Sequence, residues 1–156
     1  MISVDVPGYD RLNLRFLVVD FNGTIALDGE LLPAVTERII ELAKNLEVHV
    51  VTADTFGSCR KVLEGLPVTL HVLGVGQEDQ AKLSYVKELG RDACVAIGNG
   101  RNDRLMLEAA ELGICVVGDE CCAVSAASRA DVMAPDILSA LNFILDEKRL
   151  TATLRS

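Results

Sequence analysis

Residues 14–24 read Leu14-Arg15-Phe16-Leu17-Val18-Val19-Asp20-Phe21-Asn22-Gly23-Thr24. Residues 14–20 form a short apolar run, rich in branched side chains, that closes on an acid. A run of this length and composition before a turn signal predicts a strand buried on both faces. The same pattern returns at 48–52, 68–73, 93–97 and 114–117, with a short sixth strand at 132–134. Helical spacing fills the intervals. The segments 33–45, 55–63, 79–89, 102–112 and 122–130 are expected as helices, with Pro33 at the start of the first and Gly90 closing the third. Asp136 is placed to cap a last helix running to 145. Residues 2–6 are expected to add an edge strand. Apolar strands alternating with helices predict an α/β domain built as a doubly wound parallel sheet with both faces covered.

Composition agrees with one such domain over residues 1–156. Half the residues are hydrophobic and 24% are charged, so a sizeable core is expected and disorder is not. Aromatics are only 4% and tryptophan is absent, so Val, Leu, Ile and Ala must build that core. Fifteen basic residues against twenty-three acidic ones give a net charge of −8. That balance argues against binding a nucleic-acid backbone or an anionic membrane surface. No apolar run reaches the ~18 residues a spanning helix needs. Residues 1–8 carry Asp5 and Pro7 and do not read as a secretory signal. The five cysteines lack metal-type spacing, and Cys94 and Cys115 fall inside apolar strands. A reduced, cytoplasmic compartment is the expectation.

In open parallel sheets, ligands bind beyond the carboxyl ends of the strands. Those ends carry the informative residues. The first closes Asp20-Phe21-Asn22-Gly23-Thr24, the second Thr52-Ala53-Asp54, and the fourth Gly98-Asn99-Gly100-Arg101-Asn102-Asp103. Lys82 stands near the start of the third helix. One strand-end acid says little. Four polar stations on one sheet edge converge in space, and their chemistry suits a phosphoryl group. A carboxylate can attack phosphorus. A threonine hydroxyl can bind a phosphate oxygen, and a lysine neutralises it as a point charge. A further carboxylate offers hard oxygen to Mg²⁺.

The set resembles the haloacid dehalogenase-like hydrolase superfamily, in order from Asp20 to about Asp136. Residues 20–24 are similar to its Asp-x-Asp-Gly-Thr motif, Thr52 to the second motif, Lys82 to the third, and residues 98–103 to Gly-Asp-Gly-x-Asn-Asp. Thr52-Ala53-Asp54 and the absence of an acid at position 22 also resemble the phosphorylation domain of P-type ATPases. The resemblance implies a sheet of order 3-2-1-4-5. It implies Asp20 as nucleophile, with Thr52 and Lys82 on the phosphoryl group. It also implies Mg²⁺ as cofactor, held by Asp20, the backbone carbonyl of Asn22, Asn99 and Asp103. The intervals 20–52 and 52–82 leave no room for a cap domain or a nucleotide-binding domain. The site is therefore expected to be open, for a small or macromolecular phosphoester, with a homo-oligomer as one way of closing it.

Two departures qualify the resemblance. Asn22 stands where family phosphatases carry a catalytic acid and base, and an amide cannot pass a proton. Asn99 stands where they place the principal metal-binding Asp, so weak Mg²⁺ affinity is expected. The function expected is a slow, capless Mg²⁺-dependent phosphohydrolase or phosphotransferase with an aspartyl-phosphate at Asp20. The alternatives are a weakly active phosphate- or nucleotide-binding regulatory module, and a stand-alone phospho-acceptor. Asp54 is read as a helix cap or as indirect support for the site. Arg101 and Arg104 are either surface charges or attractors of an anionic substrate. His49 and His71 are expected to be packed or at a sheet edge. The stripe Ile137, Leu138, Leu141, Ile144 and Leu145 is core packing or a dimer face.

Overall fold

The computed structural model describes residues 1–54 and 57–156. Its elements are β1 (Ile2–Val4), β2 (Leu12–Leu14), β3 (Phe16–Asp20), β4 (Ala26–Leu27), β5 (Glu30–Leu31), α1 (Val35–Leu42), β6 (Glu47–Thr52), α2 (Ser58–Val62), β7 (Val68–Val72), α3 (Glu78–Leu89), β8 (Cys94–Gly98), α4 (Arg104–Ala109), β9 (Leu112–Val116), α5 (Val124–Ala127), β10 (Val132–Ala134), α6 (Ile137–Leu145) and α7 (Glu147–Leu154). Six strands form one parallel sheet in the order β7-β6-β3-β8-β9-β10. Counted along the sheet strands alone, that is the expected 3-2-1-4-5 with a sixth strand added at the far edge. No separate cap domain stands over the strand ends among the described residues.

Side chains alternate across a strand, so the central strand feeds two cores. Leu17 and Val19 face one side with Ile97 and Ile114, packed under α1 and α6 through Ile39, Leu42, Leu141 and Ile144. Val18, Ala96 and Cys115 face the other, against Val86 of α3, Met106 and Leu107 of α4 and Ala126 of α5. All of these side chains are buried. At roughly 1.5–3 kcal/mol for each large apolar group removed from water, this double burial holds β3 and β8 at the centre. Their carboxyl ends, Asp20 and Gly98, therefore rest on strands buried on both faces.

Several sequence expectations shift. Residues 2–6 do not edge the main sheet. Ile2–Val4 instead pairs antiparallel with Leu12–Leu14 as a separate hairpin whose Val4, Leu12 and Leu14 pack into the larger core. Helix α1 starts at Val35, because Ala34 before it lies in the left-handed region (φ 62°); Pro33 stands outside the helix. The expected start of α2 at Thr55 lies outside the described residues, and the helix is seen from Ser58. The helix expected over 102–112 is a 3₁₀ turn at Arg101–Asp103 followed by α4, which stops at Ala109. Leu112 and Gly113 belong to β9, and a Cβ at Gly113 would collide with the backbone carbonyl of Leu107. Strand and helix approach so closely there that the helix has no room to continue. Likewise α5 starts only at Val124, leaving Cys121 and Cys122 in a loop. Asp136 caps α6 as expected, accepting from Ser139 N at 2.7 Å. A final helix, α7, was not expected; Asp146 caps it by accepting from Lys148 N.

Candidate active site

Asp20 closes β3, and the chain then turns at once. The N–H groups of Thr24, Ile25 and Ala26 all approach the carbonyl of Phe21, at 3.3, 3.1 and 3.0 Å. Gly23 sits at φ +77°, a backbone setting that favours glycine. This single turn folds Thr24 back so that its hydroxyl donates to Asp20 Oδ2 at 3.2 Å. The chain continues into the β4–β5 hairpin, reversed by Asp28 and Gly29, both at positive φ (51° and 83°). Asp-Gly at such a turn suits the twist of a two-residue hairpin.

Lys82, one turn into α3, is 1% exposed. Its Nζ lies 2.6 Å from Asp20 Oδ1 and 2.6 Å from Asp103 Oδ1. A lysine so deeply buried must be paired, and here two carboxylates share it. The pair holds the ammonium firmly protonated, above the ordinary lysine range despite its burial. For Asp20 the balance is reversed. Burial, and then the neighbouring Asp103 carboxylate, push its carboxyl up to about 7 against the pull of Lys82 and Thr24. The site thus holds excess negative charge that a cation would relieve.

Asp103 is wholly buried. Its Oδ2 accepts from the N–H groups of Asn99 and Gly100, at 3.0 and 2.8 Å. It lies so close to the strand end that a Cβ at Gly98 would overlap its carboxyl group. Both oxygens are engaged, and Asp103 shapes the turn after β8 from behind. Asn99 faces forward. Its Oδ1 accepts from Thr24 Oγ1 at 3.3 Å, and its Nδ2 donates to the Cys121 carbonyl at 3.0 Å. On the other flank, Thr52 Oγ1 accepts from Asp54 N at 3.1 Å.

Asp20, Asn22, Thr52 and Asn99 line one cavity of about 430 Å³, together with Ala53, Asp54, Glu78, Gly100, Asn102 and Glu120. Four of the six predicted residues open onto it. Lys82 and Asp103 stand beneath and reach it through Asp20. Asp54 Oδ2 accepts from Ser58 Oγ and Cys59 N, so this carboxylate holds the start of α2. Arg104 is committed to Asp79 at 2.7 Å and to the Arg101 carbonyl at 2.9 Å. Arg101 is exposed. His49 is buried, meets Tyr85 Oη through Nδ1 at 2.9 Å, and burial lowers its pKa. His71 stacks on the same tyrosine. The helical stripe from Ile137 to Leu145 packs on the larger core.

Sequence reasoning did not reach Glu78, which accepts from Asn102 Nδ2 at 2.7 Å and ties α3 to the turn after β8. It also missed Glu120, brought in by the loop after β9. Among the described residues no three His, Cys, Asp or Glu side chains converge to hold a metal. The donors facing the cavity are nevertheless all hard oxygens, from Asp20, Asn22 and Asn99, and that chemistry fits Mg²⁺.

Fold and strand-end geometry together define a haloacid dehalogenase-like α/β core. Solved structures agree. The cobalt-bound deoxy-D-mannose-octulosonate 8-phosphate phosphatase of Haemophilus influenzae superposes with a TM-score of 0.72 at 13% identity, over 92% of this chain and 94% of that one. A putative subfamily III A hydrolase of the same superfamily from Legionella pneumophila gives 0.69 at 16% identity, over 90% and 87%. The 3-deoxy-D-manno-octulosonate 8-phosphate phosphatase of Moraxella catarrhalis, in complex with magnesium, phosphate and its sugar, gives 0.65 at 15% identity, over 90% of each chain. No family model matches the sequence. By sequence, the chain belongs to the family of the uncharacterized protein MJ0073 of Methanocaldococcus jannaschii, to which it is 44% identical over 84 residues, 51% of this chain and 90% of the relative. The uncharacterized protein MJ0072 of the same organism is 41% identical over 39 residues, 25% of this chain and 89% of that relative.

Proposed function

We propose that the protein is a capless phosphohydrolase or phosphotransferase whose nucleophile is Asp20. The observation that carries this reading is the Asp20–Lys82–Asp103 triad, with ion pairs of 2.6 Å, set at the strand ends beneath a polar cavity. A structural ion pair needs no open cavity above it, and this one has one oxygen of Asp20 left to Thr24 and the cavity.

An Asp20 oxygen attacks phosphorus, and the bond from phosphorus to the leaving oxygen breaks with its electron pair. The Thr52 hydroxyl holds the phosphoryl group from the cavity side, and Lys82, paired to Asp20 from beneath, neutralises charge on the phosphorylated carboxylate. A divalent cation, Mg²⁺ by the chemistry of its donors, held by Asp20, the Asn22 carbonyl and Asn99, would supply neutralising charge to the phosphoryl oxygens. The leaving oxygen takes its proton from solvent, because the Asn22 amide has none to give. Water then attacks phosphorus and loses a proton to solvent, and the bond from phosphorus to the Asp20 oxygen breaks to restore the carboxylate and release phosphate. That second step lacks a base at position 22, so the aspartyl-phosphate accumulates. An open cavity without a cap suits an accessible phosphoester, and the net charge of −8 disfavours a nucleic-acid substrate.

Rapid mixing with p-nitrophenyl phosphate and Mg²⁺ tests the reading, since p-nitrophenolate leaves with little help from an acid. The expected result is a burst of about one product per chain followed by slow turnover, absent in Asp20→Ala. No release above that control would favour the regulatory module that binds phosphate without chemistry.

A further inference from the structure

We propose that Glu120 is the second carboxylate of the cation site, returning from a loop the negative charge that position 99 lacks. The inference rests on the phosphotransfer reading above. Four carboxylates line the cavity: Asp20, Asp54, Glu78 and Glu120. Three are engaged within the protein. Asp20 is held by Lys82 and Thr24, Asp54 by Ser58 and Cys59, and Glu78 by Asn102. Glu120 has no hydrogen bond or ion pair among the described residues. The residue is exposed, yet its carboxylate lies over the turn at Gly23. A Cβ at Gly23 would collide with Glu120 Oε2 and would lie 2.7 and 3.0 Å from the Asn99 amide atoms. The free anion, the Asn99 side chain and the backbone beside Asn22 thus crowd one spot.

Asn22 and Asn99, the neutral oxygen donors, line the same cavity as Glu120. Mg²⁺ and Mn²⁺ seek one or two carboxylates among such oxygens. Asp103, also expected to hold the cation, does not line the cavity, so Asp20 is the one expected carboxylate ligand that faces it, and Glu120 makes two.

The two asparagine-linked observations explain each other. Asn99 Nδ2 donates to the Cys121 carbonyl at 3.0 Å, and the Asn99 carbonyl accepts from Ala123 N at 2.9 Å. These bonds grip the loop on either side of Cys122 and carry Glu120 over Gly23. An aspartate at 99 has no N–H to give Cys121. The residue that removes a charge from the end of β8 therefore also fastens the loop that restores one, and Asn99 acts as its positioning residue.

Mn²⁺ binding to the whole chain, read as the fall of the free-ion electron paramagnetic resonance signal without substrate, tests the assignment. Glu120→Gln is expected to weaken Kd at least about tenfold, with the metal-free melting temperature unchanged. Asp119→Asn, which removes the neighbouring acid that does not line the cavity, is expected to stay within about twofold of the wild type, since a charge outside the site is largely screened by solvent. Wild-type affinity in Glu120→Gln, or equal weakening by Asp119→Asn, overturns the assignment. If the Asp20-dependent burst persists beside either result, the phosphotransfer reading stands without Glu120. A wild-type chain that neither binds Mn²⁺ nor gives a burst removes both.

Discussion

Asn22 is exposed at the mouth of the cavity that Asp20 opens onto. It offers a carbonyl oxygen where proton transfer is wanted. General acid–base help contributes ~10²–10⁴-fold, so Asn22→Asp is expected to raise steady-state turnover of p-nitrophenyl phosphate by about a hundredfold, at the low end of that range. Burst amplitude should shrink in the same variant, because hydrolysis no longer lags. Unchanged turnover in a folded variant would mean that another step limits the rate. The residues behind this prediction were legible in the sequence because each closes a strand or opens a helix: Asp20, Asn22, Thr52, Asn99 and Lys82. Glu120 was not. Gly118-Asp119-Glu120-Cys121-Cys122 reads like any acidic loop, and its placement depends on a bond between residues 22 apart, which leaves no periodic trace.

Element boundaries moved wherever tertiary contact overrode local pattern. The residues of 102–112 have helical spacing, yet Gly113 presses against the Leu107 carbonyl and hands the segment to β9. The β4–β5 hairpin had a signal, Asp28-Gly29 between Leu27 and Glu30, but strands of two residues are too short for an alternating pattern. The cap of α6 was readable because it is local. Asp136 accepts from Ser139 N at 2.7 Å and from Ser139 Oγ at 2.9 Å. Replacing it with alanine is expected to cost about 1 kcal/mol, seen as a lower urea midpoint at unchanged slope. A null effect would assign the stability of α6 wholly to its buried face, Ile137, Ala140, Leu141 and Ile144.

Across the molecule, one sheet serves two cores, and neither is closed without it. Leu17 belongs to one and Met106 to the other. Leu17→Ala and Met106→Ala should each cost about 2–5 kcal/mol, and each should shift one common transition, whether followed by far-ultraviolet circular dichroism or by tyrosine fluorescence. Two separated transitions in either variant would show that the faces melt independently. The strand order behind this coupling was legible through the family resemblance of the motifs, which implies Asp20 and Asp103 at adjacent strand ends. The sixth strand was expected too. The separate β1–β2 hairpin was not, since an apolar triplet does not reveal which edge it will join.

The strand order also has a history. β3 is synthesised early but finishes in the middle, between β6 and β8. Thr24 waits for Asn99, 75 residues further on, and Asp20 waits for Lys82, 62 residues on. At the ribosome's pace of about 5–20 residues per second, one apolar edge of β3 stays bare for several seconds while the rest of the chain is made. During that interval the strand-end residues are not yet assembled, and the growing chain presents a strand edge that any other extended segment can join. The central place that gives Asp20 its rigid seat also makes the nascent chain a client for whatever guards exposed strands during translation.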